Sequence, residues 1–260
     1  MVDCAVQLYT LRGLDASVPE RLELVADAGF DGVEFAYRVR EESPEAVREA
    51  LDRTGLDAAA AHVSIDALED DYAATTDFYD RLGVDLLVIP WLDPSRFETA
   101  ATVDAVATRL SDLAAALDRD GFRLAYHTHD HEFVALGGGS DPDASGTDPD
   151  ASGTALDALL ARTDERLGFE PDAGWAAVAG VDPAALIDRY ADRITHVHVA
   201  DADVDRGASV ALGEGDVDLD AVVASARAAD AAWLVYEHDD PRSPRSSIER
   251  GAAALRDALR

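Results

Sequence analysis

The segment at residues 126–133, YHTHDHEF, concentrates side chains that can bind metal ions or exchange protons. Three of the seven histidines of the chain stand here at alternating positions, together with Asp130 and Glu132. Imidazole nitrogens bind transition metals and titrate near neutral pH, whereas carboxylate oxygens favour harder divalent cations. The segment therefore predicts either a metal and proton-transfer site or a polar loop that is rich in histidine.

The elements that must position these side chains follow from the hydrophobic pattern. Short β-rich segments alternate with Ala- and Leu-rich segments of helical period, which predicts eight strand–helix units. The strands are predicted at 3–8, 32–36, 57–63, 85–90, 122–128, 166–170, 194–199 and 232–237, and the helices near 17–28, 44–54, 69–82, 101–120, 154–164, 183–191, 218–230 and 245–259. Directly after predicted helices, where a left-handed residue is expected, stand Gly29, Gly55, Gly83 and Gly121.

Eight such units match the size and order of a (β/α)8 barrel better than those of an open doubly wound sheet. The glycine-rich dinucleotide-binding turn that is typical of the open sheet does not follow the first strand. We therefore predict an α/β fold, a (β/α)8 TIM barrel that residues 1–260 form as a single domain.

One segment, residues 137–154, breaks this rhythm. There GGGS is followed by the heptad DPDASGT twice, at 141–147 and 148–154. Alanine is its only apolar residue, so it cannot dock firmly to a core. We predict a low-complexity loop insertion after strand five, expanded without a function of its own, with a mobile lid as the alternative.

In such barrels the reacting groups lie at the carboxyl ends of the strands. Seven of the eight predicted strands carry polar side chains at or just beyond that end: Gln7, Glu34, His62, His127 with His129, Asp172, His196 with His198, and Glu237. Singly, His62 also reads as a structural histidine, Glu34 as the partner of an arginine, and Asp172 as a turn former. Their accumulation at one end of the strands is what predicts a site.

Together these residues predict a site for one divalent metal ion. Asp172, His198, Glu237 and a residue from strand five would supply a mixed nitrogen and oxygen set, which suits Mn²⁺, Zn²⁺, Co²⁺ or Mg²⁺. Such an ion polarises a substrate carbonyl and lowers the pKa of the adjacent C–H and O–H groups. Glu237, or Glu132 from the opening segment, would carry the proton between carbons.

The composition limits the classes of partner. The net charge is −31, and all 22 basic residues are arginine. A chain this acidic repels nucleic-acid phosphates, while an evenly acidic, hydrated surface fits a halophilic protein. We expect no membrane partner and a soluble, cytoplasmic protein, because no signal peptide or apolar segment of membrane-spanning length is evident. The single cysteine, Cys4, is expected to be a buried structural thiol.

Several motifs resemble a known family, the sugar phosphate isomerase/epimerase superfamily of xylose isomerase-like TIM barrels. They are VQLYTLR (6–12), AGFDGVEFA (28–36), YHTHDHEF (126–133), EPDAGWAAVAGVDP (170–183), ITHVHVADAD (194–203), LGEGDVDLDAVV (212–223) and VYEHD (235–239). The resemblance covers nearly the whole chain in the expected order, and it implies the superfamily without fixing a substrate.

The resemblance implies one metal ligand after each of the last four strands, namely His127, Asp172, His198 and Glu237. With it we expect Glu237, Glu132 and His129 as catalytic residues and Gln7, Glu34, His62, Trp175 and His196 as substrate-binding residues. The implied activity is a metal-dependent isomerase or epimerase of a sugar, keto-sugar or sugar phosphate, acting through an enediolate with proton transfer by histidine or glutamate. The implied partner is a small sugar or sugar derivative, and the formation of a homo-oligomer is left open.

Two departures from the family pattern keep other readings open. Many members carry glutamate where this chain has His127, which puts a two-glutamate proton exchange in doubt, and His129 remains the alternative ligand from strand five. Ala200 stands where the family commonly has lysine, so a phosphate would need arginines such as Arg12, Arg38 or Arg206. A metal-dependent dehydratase or lyase on a keto-sugar or polyol acid is the alternative. A non-catalytic carbohydrate-binding barrel and a DNA-repair enzyme like the AP endonucleases are less favoured.

Overall fold

The computed structural model of the protein describes residues 2–36, 38–136 and 153–260. Eight parallel strands form a barrel in the order β6-β5-β4-β3-β2-β1-β10-β7. These strands are β1 (Asp3–Gln7), β2 (Gly32–Phe35), β3 (Asp57–His62), β4 (Leu86–Ile89), β5 (Arg123–His127), β6 (Leu167–Glu170), β7 (His196–Val199) and β10 (Trp233–Tyr236). The predicted (β/α)8 fold is confirmed, and each strand begins and ends within two residues of its predicted bounds.

The barrel closes between β6 and β7 without a continuous strand ladder. In the described part of the chain, only two isolated parallel bridges join this edge, Phe169 with Ile194 and Asp172 with His198. The backbone N–H of His198 donates to the carbonyl of Pro171 at 3.0 Å. The barrel is therefore nearly closed, and its weakest seam passes through two residues of the predicted site.

Helices cover the outside of the barrel. They are α1 (Val18–Ala28), α2 (Pro44–Thr54), α3 (Ile65–Asp70), α4 (Tyr72–Leu82), α5 (Ala100–Arg119), α6 (Ala155–Arg162), α7 (Ala173–Val178), α8 (Pro183–Arg189), α9 (Leu219–Ala228) and α10 (Pro244–Ala258). All four glycines predicted to follow helices have positive φ. None of the helices in the described ranges has both the length and the apolar character needed to cross a membrane.

Some features differ from the sequence-based expectation, and one predicted segment lies mostly outside the described residues. The single helix predicted at 69–82 is two helices, α3 and α4, because Asp71 between them adopts φ −142° and ψ 49°. A short antiparallel hairpin, β8 (Asp201–Asp203) with β9 (Ala208–Val210), follows β7. The predicted insertion at 137–154 lies outside the described residues except for Gly153 and Thr154, and Thr154 forms an isolated antiparallel bridge with Ala135.

Small side chains fill the barrel one layer below its polar end. Alternation along the strands turns Ala5, Ala60, Ala125 and Val235 towards the same interior as the polar residues two positions later. All four are fully buried. Outside the barrel, a larger cluster of Leu, Val, Ile and aromatic residues joins the strands to the helices. The buried thiol predicted for Cys4 is confirmed, since only 5% of the residue is exposed and burial raises the pKa of its thiol to about 11.

Candidate functional site

A layer of buried polar side chains closes the carboxyl end of the barrel. Seven of the eight barrel strands contribute to it: Gln7, Glu34, His62, His127, Glu170, His198 and Glu237. Of these, His62 is the most exposed, with 9% of its side chain accessible. Each residue ends its strand, precedes its last position by one or follows it by one, so the regular strand geometry sets the layer.

Four of the predicted residues bring potential metal ligands together. One ligand atom each from His127, Asp172, His198 and Glu237 lies within 4.8 Å of the other three. The Nδ1 atom of His198 is 2.9 Å from Glu237 Oε2 and 3.9 Å from Asp172 Oδ2. Two imidazole nitrogens and two carboxylate oxygens form a donor set that divalent transition metals accept.

The remaining nitrogens of the two histidines face buried carboxylates. His127 Nδ1 lies 3.1 Å from Glu170 Oε2, and His198 Nε2 lies 2.7 Å from Glu34 Oε2. Carboxylates that hold the second nitrogen of a histidine fix its tautomer and ring orientation when the first binds a metal. In the described residues, Asp172 Oδ2 is buried with no hydrogen-bond partner. This orphaned oxygen and the oriented imidazoles fit a bound cation, so the residues present are suited to the metal that the sequence predicts.

A dense charge network surrounds His62 and His198. His62 Nε2 is 3.0 Å from Glu170 Oε2 and 3.1 Å from Glu34 Oε2, and Gln7 Nε2 donates to the same Glu34 oxygen at 2.6 Å. Burial alone would lower the pKa of His62, but the charges and hydrogen bonds of the two glutamates outweigh it and raise the pKa to about 10. Burial also acts to lower the pKa of His198, but the charges of Glu170 and Glu34 outweigh it and raise that pKa well above its usual range. Both imidazoles are therefore cationic near neutral pH without a metal.

The carboxyl groups near the predicted ligands diverge in pKa. Burial raises the pKa of Asp172 well above its usual range, against the opposing charge of His198. Burial also acts to raise the pKa of Glu237, but the hydrogen bond and positive charge of His198 outweigh it and lower that pKa to about 2. Two carboxyl groups in one site thus differ in protonation, because only Glu237 directly bonds the imidazolium.

A cavity of about 440 Å³ lies against this layer and opens to solvent. Its walls include His62, His127, His129 and Glu237 from the polar layer and its neighbours. Volumes of roughly 300–1,000 Å³ are typical of small-molecule sites. A second, much smaller cavity of about 10 Å³ adjoins Asp172.

Two predicted residues beyond the strands lie beside the predicted ligands. The strand ends at His127, so His129 is outside β5, but it still lines the larger cavity. Burial, followed by the charge of His127, lowers the pKa of His129 to about 2 and keeps its ring neutral. Trp175 lies in α7 and lines the smaller cavity, with its ring centroid 5.8 Å from that of His129. The backbone N–H of Trp175 donates to Asp172 Oδ1 at 2.7 Å, which fixes the start of α7.

Other predicted residues lie away from the cavity. His196 is fully buried one layer below His198, and neither of its ring nitrogens has a hydrogen-bond partner among the described residues. Glu132 is also fully buried, and its oxygens accept from the Tyr126 hydroxyl at 2.5 Å and the His129 backbone N–H at 2.9 Å. His131 lies past the end of β5 with only 15% of its side chain accessible, and its Nε2 lies 3.0 Å from the Leu92 carbonyl. A short 3-10 helix at His131–Phe133 turns these side chains back onto the barrel.

Three residues at the site were missed by sequence reasoning. Glu170 is fully buried and contacts His62, His127 and His198, although as the last residue of a predicted strand it met the rule used for the others. Trp91 lines the cavity with 49% of the residue exposed, and it directly follows the predicted fourth strand. Asp239 lines both cavities two residues after Glu237.

Comparison with known sequences identifies one family profile, described as xylose isomerase-like TIM barrel, which matches residues 22–258. The chain is 34% identical over 98 residues to the rhizopine catabolism protein MocC of Rhizobium meliloti, covering 38% of this chain and 25% of that protein. It is 24% identical over 215 residues to the inosose dehydratase of Clostridium beijerinckii, covering 74% of this chain and 66% of that enzyme. The chain thus spans a quarter of the first relative and just under two thirds of the second.

Comparison with solved structures gives matches along the whole barrel. A sugar phosphate isomerase/epimerase from Parabacteroides distasonis has a TM-score of 0.79 at 22% identity, over 97% of this chain and 92% of that one. The IolI protein, solved with a bound zinc atom, has a TM-score of 0.70 at 15% identity, over 99% of this chain and 98% of that one. At these identities the structural likeness establishes the fold.

Proposed function

The chain belongs to the xylose isomerase-like TIM barrel family, and we propose from this premise that it is a divalent-metal-dependent isomerase or epimerase of a sugar or keto-sugar. The observation that carries the proposal is the convergence of His127, Asp172, His198 and Glu237 ligand atoms within 4.8 Å beside a cavity of about 440 Å³. The zinc atom bound to the related IolI fold supports a metal at such a site.

In this proposal those four residues hold the cation, and Glu34 and Glu170 orient the two histidines through their second nitrogens. When bound, the cation supplies Lewis-acid polarisation of a substrate carbonyl. Its identity among Mn²⁺, Zn²⁺, Co²⁺ and Mg²⁺ stays a prediction from the donor set.

Proton transfer falls to the residues that line the cavity. His62 is held cationic by two buried glutamates and lines the cavity, so it is placed to donate a hydrogen bond to an oxygen that gains negative charge. Glu237 carries an ionised carboxylate at the cavity wall, and neutral His129 offers a second acceptor there. We assign the proton transfer next to the carbonyl to these two residues because both line the cavity. The predicted role of Glu132 as a proton carrier is less favoured, because its oxygens face Tyr126 and the backbone of His129.

A metal-dependent dehydratase is the second candidate, and one specific observation favours it. The longer sequence alignment is with an enzyme named inosose dehydratase, over 74% of this chain. Dehydration begins with the same removal of a proton next to a carbonyl and differs in the loss of a hydroxyl group. The same cavity residues therefore serve either reaction.

The two reactions are separated by incubating the metal-loaded protein with keto-sugars and a cyclic keto-polyol in D₂O. Isomerisation or epimerisation incorporates deuterium at carbon and conserves mass otherwise, whereas dehydration yields a product lighter by one water. NMR and mass spectrometry report both outcomes. The Asp172→Asn variant is the control, since it should lose bound metal and both reactions. A wild-type chain that binds no divalent cation would refute the enzyme proposed here.

We also propose two properties of the chain as a whole. Residues 1–260 would form one domain with a neutral insertion at 137–154, and the acidic composition supports a halophilic, cytoplasmic protein.

A further inference from the structure

We propose that the site takes an uncharged keto-sugar or polyol and discriminates against sugars that carry a phosphate or carboxylate group. The inference rests on the proposed function and names the substrate class of the same site. It depends on the distribution of charge around the larger cavity, which the family membership leaves open.

No cationic guanidinium or ammonium group of the described residues lines that cavity. All 22 basic residues of the chain are arginine, and every one lies within the described ranges. The acidic side chains on the walls are Glu237 and Asp239, with the pKa of Asp239 raised by burial to about 7, and the imidazole of His62 is cationic. The other walls are aromatic, small or neutral, and Trp91, with 49% of the residue exposed, provides an aromatic face on which a sugar ring would stack.

The three arginines named as examples of possible phosphate partners each lie near an acid of the chain. Arg12 stacks on the ring of Tyr9 at 4.0 Å, and its Nη2 lies 3.8 Å from Asp240. Arg38, with 57% of its side chain exposed, donates to Glu41 at 2.6 and 2.8 Å. Arg206 is 80% exposed and lies 3.1 Å from Asp203 in the β8–β9 hairpin.

The loops that bind phosphate in many barrels also carry acids here. Phosphate sites of this fold are frequently built from the loops after strands seven and eight. After β7, the buried carboxylate of Asp201 already accepts from the backbone N–H groups of Ala202, Gly213, Gly215 and Val217 at 2.8–3.1 Å. After β10, the loop continues with Asp239 at the cavity wall. An internal carboxylate thus occupies the backbone donors that would otherwise form an anion site.

The charge balance points the same way. Five carboxyl groups lie in or beside the site: Glu34, Glu170, Asp172, Glu237 and Asp239. A bound divalent cation offsets two of these charges and a cationic His62 offsets a third, so no positive charge is left in excess even though burial raises the pKa of Asp239 to about 7. Hydroxyl groups suit such a surface because carboxylates and imidazoles accept hydrogen bonds from them. An added anion is repelled, and it loses bound water for which the site offers no replacement.

The test compares matched ligands on the metal-loaded protein at one fixed ionic strength. Fructose is paired with fructose 6-phosphate, ribulose with ribulose 5-phosphate, and glucose with gluconate, and binding is measured by calorimetry alongside turnover. We expect the neutral member of each pair to bind at least about tenfold more tightly. Tighter binding of the phosphate or the acid overturns the inference while leaving the proposed function in place. If no sugar of any kind binds or reacts, the proposed function fails and this inference fails with it.

The matched variants Asp239→Asn and Asp112→Asn test the assigned source of discrimination. Asp239 lines the cavity, whereas Asp112 is exposed on α5, outside the barrel. Burial raises the pKa of Asp239 to about 7, so binding is compared at about pH 8.5, where its carboxyl group is ionised. Removing this charge should narrow the neutral-to-anionic preference at least about threefold, the size expected for one charge several ångströms away in a partly hydrated site. The Asp112 variant should leave the preference unchanged. Equal effects in the two variants, or none in the first, would show that Asp239 is not the source of the preference and would overturn the charge argument.

Discussion

The substitution Glu170→Gln tests whether buried carboxylates orient the proposed ligands. Oε2 of Glu170 lies 3.1 Å from His127 Nδ1 and 3.3 Å from His198 Nε2, so the change removes one charge that faces both imidazoles. Glutamine keeps the size and one acceptor oxygen, and it therefore alters charge and proton placement more than packing. The variant should still fold but hold the two histidines less firmly in the metal-binding tautomer.

The expected magnitude follows from the number of contacts. Replacing an outer partner of a metal-bound histidine typically lowers metal affinity about 10–100-fold, or about 1.4–2.8 kcal/mol. Since Glu170 faces two of the four proposed ligands, we expect a loss towards the upper end of this range. The metal-free variant should change less in stability than loss of a charge partner usually implies, because His62 can release the proton that Glu170 stabilised.

The assay is competition for Zn²⁺ and Mn²⁺ between the protein and a chromophoric chelator, with thermal unfolding of the metal-free protein measured in parallel. Glu132→Gln is the matched control, since it neutralises another fully buried glutamate whose bonds go to Tyr126 and the His129 backbone. Wild-type metal affinity in the Glu170 variant would refute the positioning argument. An equal loss in the Glu132 variant would show that the effect comes from general destabilisation.

Three further predictions concern protonation and stability. Metal binding at pH 7 should release protons, because the pKa values of Asp172 and His198 are both raised in the metal-free site and a bound ligand must be deprotonated. Calorimetry in buffers of different ionisation enthalpy measures the number of protons released. Asp157→Ala should lower the free energy of unfolding by about 1–2 kcal/mol at pH 7, since Asp157 bonds Tyr190 and the N-cap of α6. The pKa of Asp157 is lowered despite burial, so this contribution is present above a pH of about 4 and is lost as the pH falls through the native pKa. Urea unfolding at pH 7 and pH 3 measures the difference. Cys4 should react with iodoacetamide at pH 8 at least about 100-fold more slowly in the folded than in the unfolded protein, because its pKa is raised from 9.0 to about 11; equal rates would contradict its burial.

The hydrophobic pattern predicted the strands of the barrel because each is a short apolar segment followed by a helix of regular period. The same rule placed Glu34, His62, His198 and Glu237 at one end, since parallel strands carry their last residues to a common edge. The rule also applied to Glu170, but Asp172 two positions on is the more evident candidate ligand in the sequence, so Glu170 was not predicted.

Other features depended on geometry beyond the strands. The 3-10 helix at His131–Phe133 directs Glu132 towards Tyr126, and no local pattern fixes the path of so short a turn. The β8–β9 hairpin forms around the carboxylate of Asp201, which gathers backbone donors as far away as Val217. Such contacts are not local in sequence, so propensity alone could not supply them.

The seam between β6 and β7 gives the proposed metal a mechanical role. Elsewhere strand ladders hold the barrel, but the bridge between Asp172 and His198 is one of only two along this edge in the described residues. A cation bound by those two side chains would link the two sides of this edge, where backbone hydrogen bonding between strands is weakest. Removing it should loosen this edge first, visible as faster amide hydrogen exchange at β6 and β7 than at β2 and β3. The same pair of residues would then serve both the reaction and the closure of the fold.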